Sequence, residues 1–236
     1  MNILETLMYS YDDNVNTAYI ITIDGNKNSK ELFNRCAESC DRVGQRYERW
    51  EAFDGTDNKE IKIPDNLKNQ SWLKLLKFTS YKMTISEIAC ALSHISLWVH
   101  CIAIDKPIVI LEHDAILINS YRKHAFRNSV CWLGNLNGAS QYDDGAFPIT
   151  SPPMPGETKN TIHIDTCQAY AIDPLSANQL LIAVLDRGMY APVDIMLKSN
   201  KFCITQTGLY NISKNEISTI DRHNGLFEYY GVDARQ

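Results

Sequence analysis

The residues Ile108-Val109-Ile110-Leu111 follow Pro107 and run without a polar break into Glu112-His113-Asp114. A strand that is apolar at every position, rather than at alternate ones, needs cover on both faces. That requirement belongs to the parallel sheets of α/β proteins, where helices close both sides. The run is also far too short to cross a bilayer. A second stretch of the same character, Ala18-Tyr19-Ile20-Ile21-Thr22-Ile23, is stopped by Asp24-Gly25-Asn26. Further strands are expected over 47–53, 166–172 and 202–205.

Helical periodicity fills the spaces between them. Segment 29–43 places Leu32, Phe33, Cys36, Cys40 and Val43 on one side, with Ser29 as the expected N-cap and Gly44 beyond the last turn. A second, shorter helix is expected near 70–78. Thr84 and Glu87 have capping-box spacing at the start of a long helix through Ile104, with Ile88, Leu92, Ile95, Val99 and Ile102 as its inward stripe. Leu175 to Arg187 reads as a further helix, stopped by Gly188. Residues 134–160 carry repeated Gly, Asn and Pro clusters and read as a long irregular, functional loop. Strands alternating with helices predict an α/β domain with a mostly parallel central sheet flanked by helices. With no internal repeat or low-complexity linker, residues 1–236 read as one domain.

Composition narrows function by exclusion. The chain has 23 Lys+Arg against 28 Asp+Glu, a formal charge of −5, so no general attraction to nucleic acid or anionic lipid is expected. The seven cysteines are odd in number and none forms a C-x-x-C pair, which reads as buried thiols in a reducing compartment. Glu5 interrupts the N-terminal apolar stretch and no basic segment precedes it, so no secretory signal is expected. These features together predict a cytoplasmic protein without a transmembrane segment.

The chemistry concentrates at the end of the apolar strand. Alternate strand residues share a face, so Glu112 and Asp114 are expected to point together, with His113 directed away. Two carboxylates at the C-terminal end of a buried parallel strand suit a hard divalent cation, which could in turn hold a diphosphate. The plainer reading is a loop start or a helix cap. No P-loop, dinucleotide-binding glycine motif, serine-hydrolase elbow or H-E-x-x-H zinc motif occurs. A nucleotide-sugar enzyme that handles diphosphate through a metal fits that pattern.

Four ordered blocks resemble glycosyltransferase family 25, the group of bacterial lipooligosaccharide galactosyltransferases and collagen galactosyltransferases. The first is Tyr19-Ile20-Ile21-Thr22-Ile23 with Asn28-Ser29, Arg35 and Trp50-Glu51-Ala52-Phe53-Asp54-Gly55. The second, Thr84-Ile85-Ser86-Glu87-Ile88-Ala89-Cys90-Ala91-Leu92-Ser93-His94, is similar to T-x-G-E-I-G-C-x-x-S-H. The third, Ile110-Leu111-Glu112-His113-Asp114-Ala115, resembles I-L-E-D-D-A/V. The fourth runs from Thr166 to Ile172, through Ala177, Leu180 and Leu181, to Pro192-Val193-Asp194.

The resemblance implies a GT-A type nucleotide-sugar-binding fold. It also implies transfer of a sugar, galactose or glucose, from a UDP-sugar to a glycan-type acceptor hydroxyl, with Mn²⁺ or Mg²⁺ and with inversion. By the same carry-over Glu112 and Asp114 would hold the metal, joined by His223, and Asp194 would be the general base. Ile21, Ile23 and Asp54 would border the nucleoside, and Ser29, Arg35, Glu87, Ser93 and His94 would help hold the nucleotide. Capping and surface roles are the alternatives for Ser29 and Arg35, a turn cap for Asp194, a surface histidine for His223 and an ordinary hydrogen-bonded helix histidine for His94. His113 replaces the family's middle Asp and could add an imidazole ligand. Ser86 and Ala89 replace family glycines, which predicts wider helix packing. These departures keep a second reading in view, a catalytically retired module that binds a glycan or partner. A transferase acting on nucleic acid is disfavoured by the charge. Gln141, Tyr142, Asp143 and Asp144 are expected to shape the acceptor site.

Overall fold

A computed structural model describes residues 17–57, 59–78, 83–117, 130–133, 167–189, 191–197 and 204–206. His223 and the segment 134–160 lie outside the described residues. The described elements are β1 (Thr17–Thr22), α1 (Lys27–Val43), β2 (Arg46–Glu51), α2 (Ile85–Ile104), β3 (Ile108–Glu112), β4 (Val130–Trp132), β5 (Ala169–Ile172), α3 (Pro174–Arg187), α4 (Val193–Met196) and β6 (Ile204–Gln206). They form one open sheet in the order β2-β1-β3-β5-β4-β6. β1 pairs in parallel with β2 and β3, β4 pairs in parallel with β6, and β5 runs antiparallel to both β3 and β4. Five strands therefore share one direction and β5 alone opposes them, so the expected mostly parallel sheet is present with one reversed strand.

The two-sided apolar character of the central strands has the expected consequence. Tyr19, Ile21, Ile108, Ile110, Tyr170 and Ile172 join the core that includes α2 and α3. Ala18, Ile20, Val109, Leu111, Ala169 and Ala171 face the opposite core, closed by Cys36, Ala37 and Cys40 of α1. Strand β2 lies at the sheet edge and is correspondingly more exposed.

Local signals decide where the helices begin and end. The sequence predicts Ser29 as the N-cap of α1, but Asn26 holds that position. The Asn26 side-chain oxygen accepts from the Ser29 amide at 3.0 Å, which frees the Ser29 hydroxyl for a tertiary role. Gly44 ends the helix in the left-handed region at φ 72°, as expected. Asn26→Ala removes this cap and is expected to cost about 1 kcal/mol, read as a lower urea midpoint. The capping box of α2 is complete: Glu87 N donates to Thr84 Oγ1 at 3.1 Å and Thr84 N donates to Glu87 Oε2 at 2.8 Å. Asp173 caps α3, and Gly188 closes it.

Two further expectations need correction, and one strand was not expected at all. The helix expected near 70–78 is a single 3₁₀ turn, Ser71–Leu75. The inward stripe of α2 is too narrow a description: Val99 and Ile102 are only half-buried, whereas Ala91, Ser93, His94, Leu97 and Trp98 are buried as well. Packed against both the sheet and α3, α2 is covered around most of its circumference, so one stripe cannot describe it. By length and hydropathy α2 could also cross a bilayer, but most of that window is buried within the protein, as in a core helix. Finally β4, three residues long, carries no periodic signal in the sequence.

Candidate active site

From β1 the chain crosses through α1 to β2 on one side, then returns through α2 to β3 on the other. The gap between the ends of β1 and β3 is thus the point where strand order reverses, the usual ligand crevice of open α/β sheets. A cleft open to solvent lies there. Ile21 and Ile23 form one wall, and Phe53, Gly55 and Thr56 after β2 another. Ser86, Ala89, Cys90, Ser93 and His94 line it from α2, with Glu112, His113 and Asp114 at the end of β3.

The wall after β2 is pinned to the start of α2. Phe53 N donates to Ser93 Oγ at 2.9 Å, and that hydroxyl donates to Ala89 O at 2.8 Å. Ser86 Oγ donates to Gly55 O at 3.0 Å. A Cβ at Gly55 would lie 2.7 Å from Ile85 O and 3.0 Å from Ala89 Cβ. Packing is therefore close rather than widened, contrary to the expectation from Ser86 and Ala89: the glycine that permits contact sits on the turn instead of the helix. Gly55→Ala forces the new Cβ against the Ile85 backbone, which cannot swing aside, and thermal unfolding is expected to show a loss of about 1–3 kcal/mol.

Alternation along β3 ends at Glu112, where the strand itself ends. Ala115 N donates to Glu112 O at 3.0 Å, closing a turn that contains His113 and Asp114. All three side chains line the cleft, so a turn brings the two carboxylates to it and strand-face geometry does not apply. His113 is not simply directed away. Ile23 N donates to Ser29 Oγ at 2.9 Å, and the same hydroxyl is hydrogen-bonded with His113 Nδ1 at 3.2 Å. Burial holds the His113 pKa below its ordinary value, against the opposing charge of Glu112 and a backbone hydrogen bond with Ile21. His113 thus ties the acidic turn to β1 and the first turn of α1. Asp114 Oδ2 accepts from Gln168 Nε2 at 2.9 Å.

Glu112 Oε1 is held by α2. His94 Nε2 lies 3.2 Å from it, and Cys90 Sγ donates to it at 3.7 Å. Burial raises the Glu112 pKa, but the hydrogen bonds with His94 and Cys90 and the nearby histidines together outweigh it and leave the carboxyl below its ordinary value. Burial and the neighbouring Glu112 and Asp194 carboxylates push the Cys90 thiol well up, so it remains a donor. Behind His94, its Nδ1 meets Tyr170 Oη at 2.9 Å, and Trp98 Nε1 donates to the same Oη at 2.9 Å. Tyr170 is fully buried, and burial with Cys167 close by raises its pKa well above the ordinary value.

The sequence-predicted residues divide into those at the cleft and those behind it. Ile21, Ile23, Ser93, His94, Glu112 and Asp114 line it. Ser29 stands behind it as the partner of His113. Glu87 closes the capping box. Asp54 sits next to the wall, its carboxylate accepting from Thr56 N at 2.9 Å and facing Lys62 Nζ at 3.6 Å. Arg35 is exposed on α1, nearly two turns beyond Ser29, and does not line the cleft. Asp194 opens α4 near enough to act electrostatically on Cys90 and Cys167.

Sequence reasoning missed Cys90, Gly55 and Tyr170 as site residues. Cys90 and His94 are four apart on a helix, a spacing that places them on one face. Tyr170 carried no local signal.

The donor set fits a cation of either kind. Glu112 and Asp114 offer the oxygen ligands that Mn²⁺ or Mg²⁺ requires. Cys90, His94 and Glu112 form a second grouping, their ligand atoms within 4.8 Å of one another, of a composition that suits a softer ion such as Zn²⁺.

The fold and cleft define an α/β protein with an acidic turn at its strand-order switch. Residues 15–136, just over half of the chain, match the model of glycosyltransferase family 25 (LPS biosynthesis protein), and the chain belongs to that family. No curated protein matches the chain. Three of the four blocks that carried the resemblance fall within the matched residues, and the fourth lies beyond them. Membership makes the chain a glycosyltransferase by family, with donor and acceptor substrates.

Proposed function

We propose that the protein is a metal-dependent Leloir glycosyltransferase of GT-A type, moving a hexose from a UDP-sugar to a glycan-type acceptor hydroxyl with inversion. The observation that carries this reading is the pair Glu112 and Asp114 on one turn, lining the cleft at the strand-order switch of a family 25 chain. Galactose or glucose is the sugar that the family resemblance favours.

Ile21 and Ile23 supply an apolar wall beside the nucleoside. Glu112 and Asp114 hold Mn²⁺ or Mg²⁺. Bound there, the cation supplies Lewis-acid stabilisation of the diphosphate leaving group. Asp194, outside the cleft lining but near enough to act electrostatically on Cys90, is the proposed base that takes the acceptor hydroxyl proton. His113 is proposed as an anchor for the acidic turn rather than as a ligand, because its ring is already engaged with Ser29 Oγ and the backbone of Ile21.

The experiment is turnover of UDP-galactose and UDP-glucose by the purified protein with Mn²⁺, against an EDTA control. Metal-dependent release of UDP, by transfer or slow hydrolysis, is the expected result. A folded protein that binds UDP with Mn²⁺ yet releases none from either sugar would favour the retired binding module. One that binds neither nucleotide nor metal would exclude the present reading.

A further inference from the structure

We propose that Trp98, Tyr170 and His94 form a one-way hydrogen-bond relay that fixes His94 as the Nε2–H tautomer and aims Glu112 into the cleft. His94 is thereby a positioning residue for the carboxylate and not a metal ligand. The aiming role rests on the proposed use of Glu112 as a cation ligand; the tautomer does not.

The direction of the relay follows from counting protons. The Trp98 indole nitrogen can only donate, so Tyr170 Oη must accept from it at 2.9 Å. Tyr170 has one hydroxyl proton and is fully buried; its only other hydrogen-bond neighbour among the described residues is His94 Nδ1, also at 2.9 Å. If His94 carried its proton on Nδ1, the tyrosine would accept twice and its own proton would have no acceptor, which a buried hydroxyl strongly disfavours. Tyr170 therefore donates to Nδ1. Nδ1 is then the acceptor nitrogen of a neutral ring, and the ring proton resides on Nε2, facing Glu112 Oε1 at 3.2 Å.

Two consequences follow at the carboxylate. Oε1 receives both described hydrogen bonds, from His94 and from Cys90, which leaves Oε2 as the oxygen directed to a cation. A protonated Nε2 also has no lone pair for a metal. The Cys90, His94 and Glu112 triangle has the composition of a Zn²⁺ site, but its proton arrangement is that of a bracket around Glu112. His94 is fully buried, so the bracket is rigid on the side away from the cleft.

The test begins with the unmodified protein. Long-range ¹H–¹⁵N correlation on ¹⁵N-histidine-labelled protein distinguishes the two tautomers. The Nε2–H form is expected for His94; an Nδ1–H or doubly protonated ring would overturn the relay. Tyr170→Phe keeps the ring and deletes the hydroxyl, and His94→Leu deletes the donor to Glu112. Each is expected to weaken Mn²⁺ binding by about 10–100-fold, the usual effect of losing an outer hydrogen-bond partner of a ligand. His94→Gln, which restores an N–H donor, is expected to recover most of that loss. Unchanged Mn²⁺ affinity in both Tyr170→Phe and His94→Leu would refute the positioning role. Co²⁺ serves as the probe for the competing occupant: a thiolate-to-cobalt absorption band that vanishes in Cys90→Ser would establish the triangle as a metal site and overturn the proposal. Absence of Mn²⁺ binding in the unmodified protein, with the Nε2–H tautomer intact, would instead refute the proposed use of Glu112 while leaving the relay standing.

Discussion

Glu112→Gln and Asp114→Asn are each expected to lower UDP-sugar turnover by about 10²-fold or more while leaving a cooperatively folded protein. The magnitude follows from the leaving group. Stabilising diphosphate charge through a bound cation is worth several kcal/mol, and each ~1.4 kcal/mol is tenfold in rate. Both substitutions are close to isosteric. In Glu112→Gln the side-chain amide oxygen can still accept from His94, so the structural change is small compared with the loss of a ligand charge. The loss should appear with Mn²⁺ affinity, measured by calorimetry, rather than with the unfolding temperature. Wild-type turnover in both variants would rule out the acidic turn as the metal site.

The same carboxyl has a pH signature. Glu112 is held below its ordinary pKa although burial, the largest single influence, raises it, because the hydrogen bonds with His94 and Cys90 and the nearby histidines together outweigh it. A carboxyl shifted this way contributes stability in full above its unfolded pKa, and that contribution is lost as pH falls through the lower folded value. Glu112 is therefore ionised at neutral pH, as a cation ligand must be.

Trp98→Ala is expected to have the largest effect on stability. Trp98 heads the fully buried side chains by volume and lies in the core between the sheet, α2 and α3. Removing an indole there leaves a cavity that the sheet cannot close, at a cost of about 3–5 kcal/mol. For a chain of this size the corresponding fall in unfolding temperature is roughly 10 °C. Tyr170 would lose a donor but keep its own proton on His94, so the loss is dominated by packing. Trp98→Phe should retain most of the stability, and differential scanning calorimetry on the two variants separates volume from hydrogen bonding. Equal losses in both would show that the indole N–H matters more than its bulk.

How much of this was legible beforehand depends on the distance over which each feature is decided. The uninterrupted apolar run Ile108–Leu111 implied cover on both faces, and two cores do flank β3. Thr84 and Glu87 announced the start of α2 because a capping box is complete within four residues. Asn26 displaced Ser29 as the cap of α1 because both residue types can cap, and the choice depended on Ser29 being drawn to Ile23 and His113. The reversal of β5 was not read from the sequence, because an apolar strand buried on both faces has the same pattern in either direction. β4 escaped notice because three residues carry no period.

The amino-acid sequence by itself determined most of the strands and helices, the capping box of α2, the family, and the acidic residues at the end of the most apolar strand. These are properties of neighbouring residues, set by backbone propensity, hydrophobic period and short motifs. Only the tertiary structure decided what those acids touch. Tyr170 stands 76 positions from His94, and His113 stands 84 from Ser29. No local pattern links residues so far apart. Their pairing arises because β3 packs between β1 and the reversed β5, with α2 across one face and α1 across the other. That packing turns Glu112 from an acid at a strand end into a carboxylate held on one oxygen by α2.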